Sequence, residues 1–231
     1  MFGRRNKPAQ DAPPADDSPA EAMEVDEDGS ASGPYDESEV DVVEGESDGR
    51  LDLGSVRLPL VEAAQIQVEL EETGDLRALH LLTEVGRITV AAFAAPRTEG
   101  MWREVVGELA QSLKDDGAVV RFEDGPWGRE VVGVGEAATL RFIGVDGPRW
   151  MVRCVAAGPE ETQEPLTELA RSVLQDTVVV RGVEPMPVRT PLPVALPTVL
   201  AEQLEQARQQ QDAAEQPAPA QTATEPPAPT A

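Results

Sequence analysis

Three features of this sequence predict an α+β fold, an antiparallel and largely meandering sheet with two amphipathic helices packed on one face. Seven short apolar-rich stretches between residues 63 and 157 are separated by turn residues, the pattern of strands in a sheet. Two other stretches repeat their apolar residues every three to four positions, the period of a helix. The resulting order, βββ–α–ββββ–α–β, does not alternate strand and helix regularly, so a doubly wound parallel sheet is disfavoured.

The first strand is "AAQIQVEL", with Ile66, Val68 and Leu70 on one side and Gln65, Gln67 and Glu69 on the other. A turn at Thr73–Asp75 leads to "LRALHLL" as a hairpin partner, and "GRITVAAFAAP" gives a third strand ended by Pro96. In "TEGMWREVVGELAQSLKDDG", Trp102, Val105, Val106, Leu109, Ala110 and Leu113 form one stripe of a helix, with Thr98 expected as N-cap and Gly117 just past its end. "AVVRF", "REVVGV", "ATLRFIGV" and "WMVRCVAA" follow as a meander. "PLTELARSVLQD" is the second helix, striped by Leu166, Leu169, Ala170, Val173 and Leu174, with Pro165 at its first position, and "TVVVRG" is a last strand. Prolines 185, 187, 191, 193 and 197 make "VEPMPVRTPLPVALP" an extended arm, and its Met186, Val188, Leu192, Val194 and Leu196 predict that it packs on the domain.

Composition sets the boundaries. Residues 1–50 hold 15 acidic and 4 basic residues with few large apolar ones, too little to offset the entropy of ordering, so a disordered arm is expected there. Residues 51–198 form a single domain, 199–214 a short helix, and 215–231 a disordered Pro/Ala-rich tail. The net charge of −24 opposes a phosphate backbone, so direct nucleic-acid binding is not expected. No apolar run is long enough to span a bilayer, and "MFGRRNK" is not followed by the apolar stretch of a signal peptide, so a cytoplasmic protein is expected.

Little in the sequence points to catalysis. One cysteine excludes an internal disulfide, and one histidine leaves no Cys/His zinc cluster. His80 sits in a strand without an evident nucleophile or carboxylate partner. Cys154 alternates with Val152 and Ala156 and is expected to be a buried, inert thiol. The acidic pairs Glu71–Glu72 and Asp115–Asp116 are expected to face solvent, and no cation-loop spacing surrounds them. "GVGEAATL" leads into a strand rather than a helix, so it is a hairpin turn and not a phosphate loop. No catalytic site, cofactor or metal is therefore expected, and the chain is not expected to be an enzyme.

The arginines remain. Arg121, Arg129, Arg141, Arg149 and Arg153 all fall in the meander or its turns, on a face opposite Val120, Phe122, Leu140, Phe142, Val152 and Cys154. Such a face either receives an anionic ligand or acidic partner, or is balanced by neighbouring carboxylates; the second is the commoner case. "EDGPWGREVVG" and "GVDGPRWMV" share an Asp-Gly-Pro run. Asp-Gly alone suggests a two-residue hairpin, but Pro126 and Pro148 stand where the closing N–H is expected, which predicts wider turns. Trp127, Arg129 and Arg149 at these turns are the candidate ligand or partner contacts, with Trp127 expected to fold onto the core.

Together, "VAAFAAPRTEGMWREV", "FEDGPWGREV", "GVDGPRWMVRCVAAGP" and "DTVVVRGVEPMPVRTPLPVALP" resemble the actinobacterial domain of unknown function 3710 family over about residues 51–200. The resemblance implies a cytoplasmic protein with an acidic N-terminal extension and carries over no catalytic residues. The function expected is a non-enzymatic protein-interaction or accessory domain with an unknown protein partner, the alternative a domain binding a small anionic ligand on the arginine-bearing face, and the third an enzyme of unknown class.

Overall fold

A computed structural model describes residues 32–40, 49–70, 76–197 and 202. The expected turn at Thr73–Asp75, the acidic pair Glu71–Glu72, the tail from 215 and, apart from Glu202, the expected helix at 199–214 lie outside the described residues.

The alternating stretches become a seven-stranded antiparallel sheet, built from β4 (Gln65–Leu70), β5 (Leu76–Thr83), β6 (Gly86–Ala94), β7 (Val119–Gly125), β8 (Gly128–Val134), β9 (Thr139–Gly147) and β10 (Trp150–Gly158), in the order β4-β5-β6-β10-β9-β8-β7. It is two meanders. After β6 the chain crosses in α1 (Met101–Asp115) to the far edge, and β7 to β10 return strand by strand until β10 pairs with β6. α2 (Gln163–Gln175) follows β10. It begins two residues before the expected Pro165, which still falls in the first turn, where no N–H is needed.

The α+β class is as expected, but the helices do not share a face. α1 buries Met101, Trp102, Val106, Ala110 and Leu113 against Val131, Phe142 and Met151. α2 buries Leu166, Ala170, Val173 and Leu174 among Ile88, Val90, Val152, Cys154 and Ala156. Met151 and Val152 are neighbours on one strand and point to opposite sides, so the sheet carries a helix on each face. The physical reason is in "WMVRCVAAG": β10 is apolar in both registers, as a strand covered on both sides must be.

A second, four-stranded sheet lies over the α2 face. Its strands are β1 (Tyr35–Asp36), β2 (Arg50–Asp52), β3 (Val56–Pro59) and β11 (Val178–Val179), ordered β1-β11-β3-β2. Leu53, Val56, Leu58 and Val179 bury their side chains in the same core as α2. Residues 32–40, expected to belong to a disordered arm, are thus part of the fold. β1 runs parallel to β11, pairing Tyr35 with Val178 and Asp36 with Val179. The proline-rich arm packs as expected in part. Leu192 is buried, and Met186, Val194 and Leu196 lean on the core, whereas Val188 is exposed. Its amides bond to the half of β6 that β5 does not reach, through Arg189 N to Ala94 O and Leu192 N to Ala92 O.

Candidate functional site

The two Asp-Gly-Pro hairpins sit side by side at one end of the sheet, and both are tight. Gly125 pairs with Gly128 around Pro126-Trp127, and Gly147 pairs with Trp150 around Pro148-Arg149. The expected wider turns do not form, because proline occupies the first loop position. Its fixed φ suits that position, and the closing N–H comes from Gly128 or Trp150 instead. The positive φ that each turn needs is taken by Gly128 (117°) in the first and by Arg149 (62°) in the second.

Both hairpins present an indole to the N-terminal segment. Trp127 Nε1 donates to the Gly33 carbonyl at 2.5 Å, and Trp150 Nε1 donates to Asp36 Oδ2 at 2.8 Å. Tyr35 N adds a bond to Thr177 O. Residues 33–36 are therefore strapped across the hairpin end. Gly147 lets the buried Trp150 ring lie flat on its backbone, since a Cβ there would stand 2.2 Å from the ring. Burial works to raise the Asp36 carboxyl, but hydrogen bonds from Ser38 and the Trp150 indole, with the charge of Arg149, outweigh it and hold the group below its ordinary value.

On the α1 side of the same end is an open cleft of about 850 Å³, between the β7–β8 tip, the start of α1 and the end of β9. Trp102, Arg103, Asp124, Trp127, Arg129 and Asp146 give it its chemical character. The indole of Trp102 lies across Gly144, where a Cβ would meet it at 2.1 Å, and donates to the Arg129 carbonyl at 2.8 Å. The expected Thr98 cap does not form. Gly100 holds the N-cap position with φ 111°, and Asp146, from β9, accepts from the backbone N–H groups of Gly100 and Trp102 at 3.0 Å each. That carboxylate already neutralises the positive end of α1.

Of the three contacts expected from the sequence, Trp127 and Arg129 line this cleft and Arg149 does not. Arg149 is exposed on the neighbouring turn, where its carbonyl accepts from Ala95 N and Arg181 Nε. Trp127 is half-buried against the core, with its indole N–H engaged by the strap. The single arginine face is also corrected. Arg121 and Arg141 point to the α2 side, and Arg129 and Arg153 to the α1 side, because each strand enters the meander in its own register. Arg129 lies over the Phe122 ring at 5.6 Å and Arg153 over the Phe93 ring at 5.0 Å.

Arg141, on the α2 side, belongs to a buried ionic cluster. Glu130, 1 % exposed, accepts from Arg141 at 2.5 Å and from Arg171 of α2 at 3.0 Å, and Arg141 also reaches Glu123 at 2.6 Å. Burial tends to raise the Glu123 carboxyl, but Arg141 and Arg121 hold it below its ordinary value. Gly125 makes room for Glu130, whose carboxylate stands 2.0 Å from where a Cβ would be.

Cys154 is fully buried, and burial pushes its thiol up to about 12. His80, expected to lack partners, has two. Its Nδ1 meets Thr89 Oγ1 at 2.7 Å and its Nε2 meets Glu69 Oε2 at 3.2 Å. A carboxylate only accepts, so Nε2 donates to Glu69. The link ties β4, β5 and β6 together. Among the described residues no three His, Cys, Asp or Glu side chains gather where they could hold a metal, and no helix is long and apolar enough to cross a membrane.

Asp146, Arg103 and the strap's Asp36 were not among the site residues expected from the sequence, and Trp102 was expected only as part of the α1 stripe. The repeated Asp-Gly-Pro run was a usable signal for Asp146, since it sets that acid at a hairpin shoulder beside the helix start.

Among solved structures, the chain is similar to the solution structure of cyanobacterial PsbP (CyanoP) from Synechocystis sp. PCC 6803, at 9 % identity and a TM-score of 0.39, over 61 % of this chain and 99 % of that one. No curated protein matches the chain. Residues 33–203, from the strap through both sheets to beyond the proline-rich arm, match the family described as "Protein of unknown function (DUF3710)", and the chain belongs to that family.

Proposed function

We propose that the chain is a non-enzymatic interaction domain of the cytoplasm that receives a segment of a protein partner in the cleft beside the hairpin tips. The observation that carries this reading is the cleft itself, which gathers two indoles and two guanidinium groups around an open concavity. Tryptophan and arginine dominate the energetics of protein interfaces because each joins a large contact area to a polar handle. The charges favour a polypeptide over a small anion. Glu99, Asp124 and Asp146 stand with Arg103 and Arg129 around the cleft, and the helix end that would attract an anion is already capped. The groups that chemistry would use are engaged elsewhere: the Cys154 thiol in the core, the His80 ring between Thr89 and Glu69.

The test is crosslinking mass spectrometry of the full chain in its native host, beside a variant with Arg103→Ala and Arg129→Ala. Partner crosslinks to the β7–β8 tip and the start of α1 are expected in the parent and lost in the variant. Identical crosslinks in both proteins refute the reading.

A further inference from the structure

A second concavity lies on the α1 face, away from the hairpin tips. It is a groove of about 280 Å³ between α1 and the sheet, walled by Phe93, Met101, Val105, Leu109 and Met151, with Arg153 of β10 in its floor and Glu108, Ser112 and Arg189 completing its lining. Met151 belongs to the α1 core, but Val105 and Leu109 are only half-buried and overhang the groove from the apolar stripe of the helix.

Arg153 differs from its neighbours, and from the buried Arg181, whose guanidinium is held by the Arg149 and Glu184 carbonyls. Arg141 holds Glu123 and Glu130, Arg171 holds Glu130, and Arg189 at the groove rim holds Glu104 and Glu108. Arg153 has no carboxylate partner among the described residues, and its buried Nε has no hydrogen-bond partner. The Phe93 ring at 5.0 Å is its one recorded companion. Burial alone acts on it, lowering its pKa, with no neighbouring charge to offset the loss of water. A guanidinium drawn into an apolar wall without a counter-charge is a cost that a fold does not need to carry for stability. Nε–H is also one half of the donor edge with which arginine grips a carboxylate in two parallel bonds.

We propose that this groove binds a small monocarboxylate with a short apolar body, its carboxylate paired to Arg153 and its body lying along Met101, Val105, Leu109 and Met151. Arg189 at the rim is already held by Glu104 and Glu108, so Arg153 offers the one unpaired positive charge of the lining, which a single carboxylate matches. The volume, near the lower end for ligand pockets, suits a short molecule rather than a long chain. The site shares no residue that the cleft reading depends on, so either can fail alone.

The probe is octanoate, with octan-1-ol as its uncharged counterpart, added to the full chain carrying 13C-labelled methionine methyls. Met101 and Met151 wall the groove and Met186 lies on the other core, so the methyl signals locate binding. Octanoate is expected to move the Met101 and Met151 signals saturably and leave Met186 in place. Octan-1-ol, and octanoate with Arg153→Gln, are expected to bind more weakly by roughly tenfold or more, the loss of a charged hydrogen bond. An unchanged Met186 signal certifies the fold of the variant. Should it not fold, the acid–alcohol comparison on the parent still decides. No saturable shift, or equal binding of acid and alcohol, overturns the proposal. So does a peptide of residues 21–31 that moves the same signals where octanoate does not, since the occupant would then be an acidic segment.

Discussion

Replacing Trp127 by Phe keeps an aromatic ring but removes the five-membered half of the indole with its N–H, leaving the Gly33 carbonyl without its donor. The expected cost is about 1 kcal/mol, read as a lower denaturant midpoint. Glu130→Ala acts on a different physical term. It leaves Arg141 and Arg171 facing an empty buried site, and breaking a buried ion pair from one side costs roughly 3–5 kcal/mol. A variant of near-parental stability would show that water or a rearranged Glu123 replaces the lost carboxylate. The contrast is one of environment: a single neutral hydrogen bond against charges already stripped of water.

Glycines in the elements divide by what a methyl group would meet. In α1, Gly107 is exposed and nothing lies within 4 Å of its missing Cβ, so Gly107→Ala is expected to raise stability by about 1 kcal/mol, read in the thermal midpoint. Gly144→Ala drives a Cβ into the Trp102 ring and is expected to cost roughly 1–3 kcal/mol, with a shift in tryptophan emission as the indole leaves the Arg129 carbonyl. The elements also show what could be read in advance. α1 and the seven long strands were legible because a period of 3.6 or 2 repeats several times within each. Of the second sheet only β11 was, as the strand expected in "TVVVRG"; strands of two to four residues complete no such pattern, and Tyr35–Asp36 lies in an acidic stretch whose composition argued against order. The place of Trp127 and Arg129 at a hairpin tip was legible through turn chemistry, which is local. Asp146 as the cap of α1 was not, because its partners stand 44 and 46 residues away, and local spacing says nothing about them.

For the molecule as a whole, the strap joins the hairpin end to the second sheet, and acid should release it. Asp36 titrates in the fold below its ordinary value of 3.8, so the stabilisation it provides is complete above that value and is lost as pH falls through the lower folded value. Glu123 behaves in the same sense from an ordinary value of 4.5. Trp150 fluorescence is therefore expected to change below about pH 4 before the far-ultraviolet signal of the sheet collapses. Asp36→Asn should weaken that early step; an unaltered profile would place the acid sensitivity elsewhere.

The parallel pairing of β1 with β11 also sets an order of events. Tyr35 and Val178 are 143 positions apart, so β1, the first of the described strands to leave the ribosome, has no partner until nearly the whole domain has been made. The loop that must close is long, and its closure comes late and slowly relative to the hairpins. The main sheet and both helices can therefore assemble first, with the N-terminal strand laid across them as the final stitch. Until then the indole N–H groups of Trp127 and Trp150 wait without the acceptors that the strap brings them.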